Sequence, residues 1–210
     1  MLKHKILLTG GSGLLGTELH KINNHPEVEM YAPSHKEFDI TAPIMPNYRP
    51  DIVIHAAAYT DLIGAERDRE LCNKINVDGT INLVRMFPFV YFVYISTEYV
   101  THPFLNYYSY TKAAAEDVVK EHINHLIIRT LFKPRPFPHK RAFVDQYTRG
   151  DYVDVIAPLI FERILTLDTG IANVGTGRKT IYELARQSNP EVGKMSLSEV
   201  SEVRLPHDYI

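Results

Sequence analysis

Short apolar runs alternate with amphipathic stretches along the first 130 residues. Lys5-Ile6-Leu7-Leu8-Thr9 runs into Gly10-Gly11-Ser12-Gly13, and an amphipathic stretch follows from Leu14 to about Asn23, predicting strand, tight turn and helix. Val28 to Ala32 predicts a second strand, closed by Pro33. Asp51 to Ala57 is a continuous apolar run of the kind that forms a parallel strand buried on both faces. From Ala65 to Met86 the apolar positions Leu71, Ile75, Ile81, Leu83 and Val84 follow helical spacing. Phe89 to Ile95 is the strongest strand signal, Ser109 to His122 reads as a helix, and Leu126-Ile127-Ile128 as the next strand. Strands alternating with helices imply right-handed crossovers and a doubly wound α/β fold with a parallel sheet.

The pattern changes after Thr130. Lys133 to Arg141 is Pro-rich and basic and reads as a loop leaving the sheet. A helix from Val153 to Leu165, a strand from Ile171 to Val174, a turn at Gly175-Thr176-Gly177 and a helix from Thr180 to about Gln187 follow. The expected organisation is a nucleotide-binding half over residues 1–130. A small C-terminal lobe over 131–210 is interleaved with the same fold.

Composition narrows the function classes. The 210 residues carry 23 Lys and Arg against 25 Asp and Glu, so no broad basic field favours nucleic acid or anionic membrane. One cysteine, Cys72, excludes an intramolecular disulfide and any multi-cysteine zinc site. The ten histidines show no ligand spacing beyond His122 and His125, so no metal is expected. With no signal-peptide pattern and no apolar stretch near the roughly 20 residues that span a bilayer, the expectation is a soluble, cytoplasmic protein.

Gly10, Gly13 and Gly16 are spaced three apart after the first strand and open a helix. A dinucleotide pyrophosphate needs free backbone N–H groups at a helix N-terminus, and side chains there would block its approach. Gly16 lets the helix pack closely on the sheet. The end of the second strand, where an acidic residue would bind a ribose diol, offers Ser34, His35 and Lys36. Those groups suit a 2′-phosphate, which leans the expectation to NADP, with NAD as the other choice; an exposed polar loop is the plainer reading. Asp39 and Ile40 follow, placed to flank an adenine.

Tyr108 and Lys112 are four apart at the start of a helix and share a face. An ammonium beside a phenol favours phenolate, so the expectation is a lowered Tyr108 pKa and a proton donor and acceptor usable near neutrality. Ser96-Thr97 ends the strongest strand, and ligands sit at the carboxyl ends of such strands.

Thr9 to Gly16, Ala56-Ala57-Ala58-Tyr59-Thr60, Ile95-Ser96-Thr97-Glu98-Tyr99-Val100 and Tyr108-Ser109-Tyr110-Thr111-Lys112 occur together and in order. With Asn76-Val77-Asp78-Gly79-Thr80 and Asn173 to Gly177, they make the chain resemble the extended short-chain dehydrogenases/reductases. Within these it is most similar to the dTDP-4-dehydrorhamnose reductase (RmlD-like) branch, from Lys5 to about Ala185. The resemblance implies a Rossmann-type sheet, NAD(P) as cofactor, and reduction of a nucleotide-activated 4-keto-6-deoxy sugar. It places Gly10, Ser12, Gly13 and Leu15 against the pyrophosphate, and Ala56, Ala57, Ala58 and Tyr59 along the cofactor. Thr97 then polarises the sugar carbonyl, Tyr108 protonates it, and Lys112 holds the nicotinamide ribose.

The sequence departs from that branch in four places. Only ten residues separate Thr97 from Tyr108, Glu98 stands where the pattern has Asp, Ile63 replaces an Asp, and the segment from Arg129 to Asn173 is compact. A reduced substrate lobe is therefore expected. Two other functions remain open. Some members of the branch are NAD(P)-binding partner subunits without turnover. A nucleotide-sugar epimerase or dehydratase is the other, for which Glu98 is the candidate second acid. A homo-oligomer or a protein partner is compatible with either. The basic loop from Lys133 to Arg141 suits either a sugar-nucleotide diphosphate or solvent. His55 reads as packed or cofactor-adjacent, and Cys72 as inert core.

Overall fold

The computed structural model describes residues 4–21, 25–42 and 44–208. Its first half is built from β1 (His4–Thr9), α1 (Leu14–Lys21), β2 (Val28–Tyr31), β3 (Ile52–His55), α2 (Leu62–Arg67), α3 (Arg69–Asn73) and α4 (Gly79–Met86). Then come β4 (Tyr91–Thr97), α5 (Tyr107–Lys120) and β5 (His125–Thr130). The expected extension of α1 to Asn23 lies outside the described residues. After β5 the chain forms the short strands β6 (Phe132–Lys133), β7 (Arg141–Phe143), β8 (Tyr147–Thr148) and β9 (Asp151–Tyr152). It continues through α6 (Val153–Leu165), β10 (Gly170–Asn173), β11 (Lys179–Thr180), α7 (Ile181–Arg186) and β12 (Gly193–Met195).

Six strands form one all-parallel sheet in the order β10-β5-β4-β3-β1-β2. Successive side chains of a strand point to opposite faces, and here both faces are covered. Ile6, Leu8, Ile52, Ile54, Val93 and Leu126 pack under α1 and α6, which contribute Leu15, Leu19, Ile156 and Ile160. Leu7, Val53, Phe92, Tyr94 and Ile127 face the other way, against Leu83 of α4 and Ala115 and Val119 of α5. The doubly wound sheet expected from the alternating pattern is present, and the strand order reverses between β1 and β3, where such sheets bind ligands.

Several element bounds differ from the sequence reading for local reasons. The strongest strand starts at Tyr91, because Phe89 is 90% exposed in the turn before it. The single helix expected from Ala65 to Met86 is broken at Asp68, which ends α2 and caps α3 by accepting from the Leu71 N–H at 2.9 Å. A π-helical turn at Lys74–Asp78 then joins α3 to α4. Helix α5 begins at Tyr107 because Asn106 caps it, its Oδ1 accepting from Ser109 N and Oγ, both at 2.8 Å.

The lobe after β5 is held by three two-stranded pairings: β6 with β9, β8 with β11, and β7 with β12. Its core joins Leu131, Phe137, Tyr152, Ile181 and Leu184 to Tyr99, and Tyr108 packs against it. Residues 203–208 run back over this lobe. Asn106 Nδ2 donates to the Arg204 carbonyl at 2.9 Å and Tyr147 N to the His207 carbonyl at 2.8 Å. Among the described residues no helix is long and apolar enough to cross a membrane.

Candidate active site

A cleft of about 580 Å³ runs along the carboxyl ends of the strands, from the glycine turn after β1 to Tyr108 and Lys112 on α5. That volume lies within the range of small-molecule and cofactor sites. At one end Gly10 has φ +74°, and a side chain on it would meet the Ala57 nitrogen at 2.6 Å. A side chain on Gly16 would run into the Gly10 carbonyl. These contacts are the reason for glycine at both positions: the turn passes tightly over β3 while α1 seats against it. The first turn of α1 leaves backbone N–H groups without intrahelical acceptors, and the bare turn leaves room for a pyrophosphate to reach them.

Gly10, Ser12, Gly13, Leu15 and Gly16 all line this cleft, as do Ala56, Ala57 and Ala58 after β3. Tyr59 does not. Its hydroxyl lies beside Gly64, and its backbone is pinned by Asn76, whose Oδ1 accepts from Tyr59 N at 2.7 Å. The same Asn76 amide donates to Thr111 on α5 at 3.0 Å, so the π-helical turn ties the Ala-rich segment to the Tyr-Lys helix.

After β2, His35, Asp39 and Ile40 line the cleft, whereas Ser34 and Lys36 do not. Ser34 is turned to Glu37, donating from both N and Oγ at 2.8 and 2.7 Å. His35 Nδ1 stands 3.8 Å from Asp39 Oδ1. Burial raises the Asp39 pKa, but the hydrogen bonds from Thr41 outweigh it and hold the carboxyl below its ordinary value.

At the other end the structure brings Thr97, Tyr108 and Lys112 to one stretch of wall. Lys112 is 2% exposed. Its ammonium donates to the Ile95 carbonyl at 2.8 Å and lies 4.0 Å from the Tyr94 ring centroid. Burial lowers the Lys112 pKa to about 7, against the pull of Glu116. The expectation for Tyr108 needs correcting. Its phenol is pushed well up, first by burial and then by Tyr99; the Thr97 hydroxyl works the other way but does not prevail. The ammonium that was to favour phenolate is engaged by Ile95 and is itself easily deprotonated. Tyr108 is thus a firmly protonated acid.

Beneath this pair lies a network the sequence reading missed. Glu116, one turn beyond Lys112 and 1% exposed, accepts from Ser96 Oγ at 2.6 Å. It also takes a bidentate fork from Arg129, Nε at 2.9 Å and Nη2 at 2.6 Å. Ser96 lines the cleft too, but its hydroxyl is committed to this network, leaving Thr97 as the hydroxyl of the pair open to a ligand. The available signal was the i, i+4 spacing of Lys112 and Glu116, together with a lone arginine directly after the apolar run Leu126-Ile127-Ile128.

Glu98 faces away from the cleft. Its carboxylate accepts from Thr148 Oγ1 at 2.7 Å and Arg149 N at 3.2 Å, and burial raises its pKa. It lies outside the cleft lining, so it provides no second acid beside Tyr108. Of the basic loop, Arg135 pairs with Asp154 at 3.0 Å and Arg141 with Glu199 at 2.6 Å, leaving Lys133 as the loop cation that lines the cleft. Cys72 is buried beside Asn76 and Thr111. Among the described residues, no three of His, Cys, Asp and Glu gather as a metal cage.

His55, behind the cleft floor, gives a pH prediction. Its Nδ1 is 2.8 Å from Thr9 Oγ1 and its Nε2 3.0 Å from Thr80 Oγ1. Thr80 already donates its proton to the Asn76 carbonyl, so Nε2 carries the imidazole hydrogen and Nδ1 accepts from Thr9. Burial, reinforced by the charge on Lys112, lowers its pKa to about 3. The unfolded chain therefore takes up a proton near pH 6.5 that the folded chain refuses. Stability is full above that pH and is lost as pH falls towards the folded value, by about 2 kcal/mol between pH 6.5 and 5. Thermal unfolding at pH 7 and pH 5 should show this loss, and His55→Gln should remove that part of it.

A doubly wound parallel sheet, a glycine turn after β1 and a Thr-Tyr-Lys wall at the ends of β4 and α5 define the class: a Rossmann-type protein of the extended short-chain dehydrogenase/reductase kind. The RmlD substrate binding domain family matches residues 4–156, and the chain belongs to that family. A crystal structure of dTDP-4-dehydrorhamnose reductase from Bacillus anthracis in complex with NADP superposes with a TM-score of 0.87 at 27% identity, covering 99% of this chain and 90% of that one. A probable dTDP-4,6-dihydroxy-2-methyloxan-3-one 4-ketoreductase from Streptomyces antibioticus is 27% identical over 196 residues, 82% of this chain and 66% of that protein. A dTDP-4-dehydrorhamnose reductase from Mycobacterium tuberculosis is 32% identical over 101 residues, 46% of this chain and 33% of that protein. The matches thus span just under two thirds of one curated relative and a third of the other.

Proposed function

We propose that the protein is a soluble, cytoplasmic, NADPH-preferring reductase of a nucleotide-activated 4-keto-6-deoxy sugar, with NADH as the weaker alternative. Residues 1–130 form the dinucleotide half, and 131–210 a small substrate lobe interleaved with the same fold. The observation that carries the reading is the single cleft lined by the glycine turn at one end and by Thr97, Tyr108 and Lys112 at the other. The names of the relatives support the substrate class, and the NADP in the Bacillus anthracis enzyme supports the cofactor.

The cradle fits a dinucleotide, because the turn is bare of side chains: one at Gly10 would collide with Ala57 and one at Gly16 with the turn itself. Gly10, Ser12, Gly13 and Leu15 would hold the pyrophosphate, His35 and Ile40 the adenosine end, and Ala56 to Ala58 the stretch between. When bound, the nicotinamide supplies the hydride that the keto carbon needs. The chain's own residues manage the oxygen. Thr97 donates a hydrogen bond to the carbonyl, orienting it and drawing off charge as it becomes an alkoxide. Tyr108, held protonated, delivers its phenolic proton to that oxygen. Lys112 is buried beside it with a pKa of about 7 and completes the relay by which the phenol regains a proton.

The test is near-ultraviolet oxidation of NADPH, and separately of NADH, by the purified protein with a panel of nucleotide-linked 4-keto-6-deoxy sugars. Oxidation with at least one sugar, faster with NADPH, is the expected result. Tight dinucleotide binding without oxidation across the panel would overturn the reading and favour a cofactor-binding partner subunit.

A further inference from the structure

Charge at the reaction end of the cleft is unbalanced. Ser96, Thr97, Tyr99, Tyr108, Lys112, Thr130 and Lys133 are the polar residues on this wall, and none is acidic. Glu98 and Glu116 are near in sequence but are engaged elsewhere, with Thr148 and with Arg129. Lys112 is bonded to the Ile95 carbonyl. Lys133 has no hydrogen-bond acceptor or carboxylate among the described residues. It sits on β6, held in register beside Tyr152 of β9, so a strand pairing fixes its backbone. Burial lowers its pKa, and the side chain within reach of its charge is His139, which gives no compensation.

A half-buried ammonium without a partner is unfavourable in the free protein. A second polar group on the same wall is also unsatisfied. The Thr130 hydroxyl is buried without a partner among the described residues and stands next to Thr97 in the β4–β5 register. The Thr130 hydroxyl is enclosed, so the group on this wall left open to a ligand is the Lys133 ammonium.

We infer that Lys133 binds a phosphoryl group of the ligand at the reaction end of the cleft. The inference rests on the function proposed above, under which both ligands carry a diphosphate. Lys acts towards phosphate as a mobile point charge, and the neighbouring cations Arg135 and Arg141 are already paired. The glycine turn at the other end of the cleft is the cradle for the dinucleotide pyrophosphate, so the diphosphate of the sugar nucleotide is the expected source; a dinucleotide phosphate would make the same chemical contact and is distinguished by the test.

Calorimetric titration of the whole chain separates the two sources. NADPH is titrated into wild type, Lys133→Gln and Lys133→Arg, and thymidine diphosphate into each protein saturated with NADP. Loss of one charge-assisted contact should weaken one of these affinities about ten- to hundredfold in Lys133→Gln. Lys133→Arg should retain most of it. A fall for NADPH assigns the dinucleotide phosphate, and a fall for thymidine diphosphate assigns the substrate. Both affinities within twofold of wild type would overturn the inference while leaving the proposed function standing. Wild type that binds neither ligand would sink both. A third readout is thermal unfolding without ligand, where Lys133→Met should unfold at the wild-type temperature or above. A clear drop would mark Lys133 as a packing residue and count against the assignment.

Discussion

Replacing Tyr108 by Phe is expected to reduce turnover of the keto sugar by roughly 10²–10⁴-fold, the usual contribution of a positioned acid. Dinucleotide affinity should stay within about threefold, since only the hydroxyl that faces the carbonyl is removed. Pre-steady-state mixing would separate the two, with binding preserved and the oxidation step slowed. The pH profile adds a sharper expectation. Burial holds the phenol above its ordinary range, so Tyr108 should remain a competent acid across the neutral region and should not itself produce a break there. Any break near pH 7 belongs to Lys112, whose pKa burial lowers to about 7. Lys112→Arg should remove that break, because a guanidinium does not titrate in this range. A break near neutrality that survives in Lys112→Arg would show that the relay has been assigned to the wrong group.

The second large effect concerns stability. Arg129→Met leaves the Glu116 carboxylate buried with the Ser96 hydroxyl as its remaining close partner. Stranding one member of a buried ion pair costs about 3–5 kcal/mol. Because the Arg129 side chain is 24% exposed, the lower half of that range is expected. In a chain of this length the midpoint should fall by roughly 6–15 °C. The double variant Glu116→Leu, Arg129→Met should recover most of the loss, since an apolar pair of similar volume carries no stranded charge. Equal destabilisation in single and double variants would mean that packing, rather than charge, is what the pair contributes.

Much of the site was legible because its signals are local. The glycine spacing reports a turn that nothing larger can make, and four-residue spacing places Tyr108 and Lys112 on one helical face whatever surrounds them. The apolar runs at Ile6 and Ile52 mark strands covered on both sides. What stayed hidden depends on partners distant in sequence. Arg129 is a lone arginine after an apolar run until Glu116, 13 residues earlier, is brought against it. Asp68 gave no sign that it would divide a regular helical pattern by capping one helix and ending another. For Tyr108, spacing reports that Lys112 is near but not that the Ile95 carbonyl holds its ammonium or that burial raises the pKa of the phenol. Ser34 and Lys36 follow β2 as a phosphate-binding pair would, yet Ser34 turns to Glu37 and Lys36 stands outside the cleft.

The cap of the Tyr-Lys helix is joined to residues that the chain makes much later. Asn106 holds the first turn of α5 with its Oδ1, but its amide nitrogen is fixed by Arg204, 98 residues further on. Closing so long a loop carries an entropic cost that must be met before the contact stabilises anything, and non-local contacts of this kind form late in folding. The contacts of the glycine turn with Ala57, and of β1 with β2 and β3, lie within the first sixty residues. During refolding, then, the protein gains the ability to grip a dinucleotide before it gains a rigid acid to use with it, and capacity to bind should return ahead of capacity to reduce.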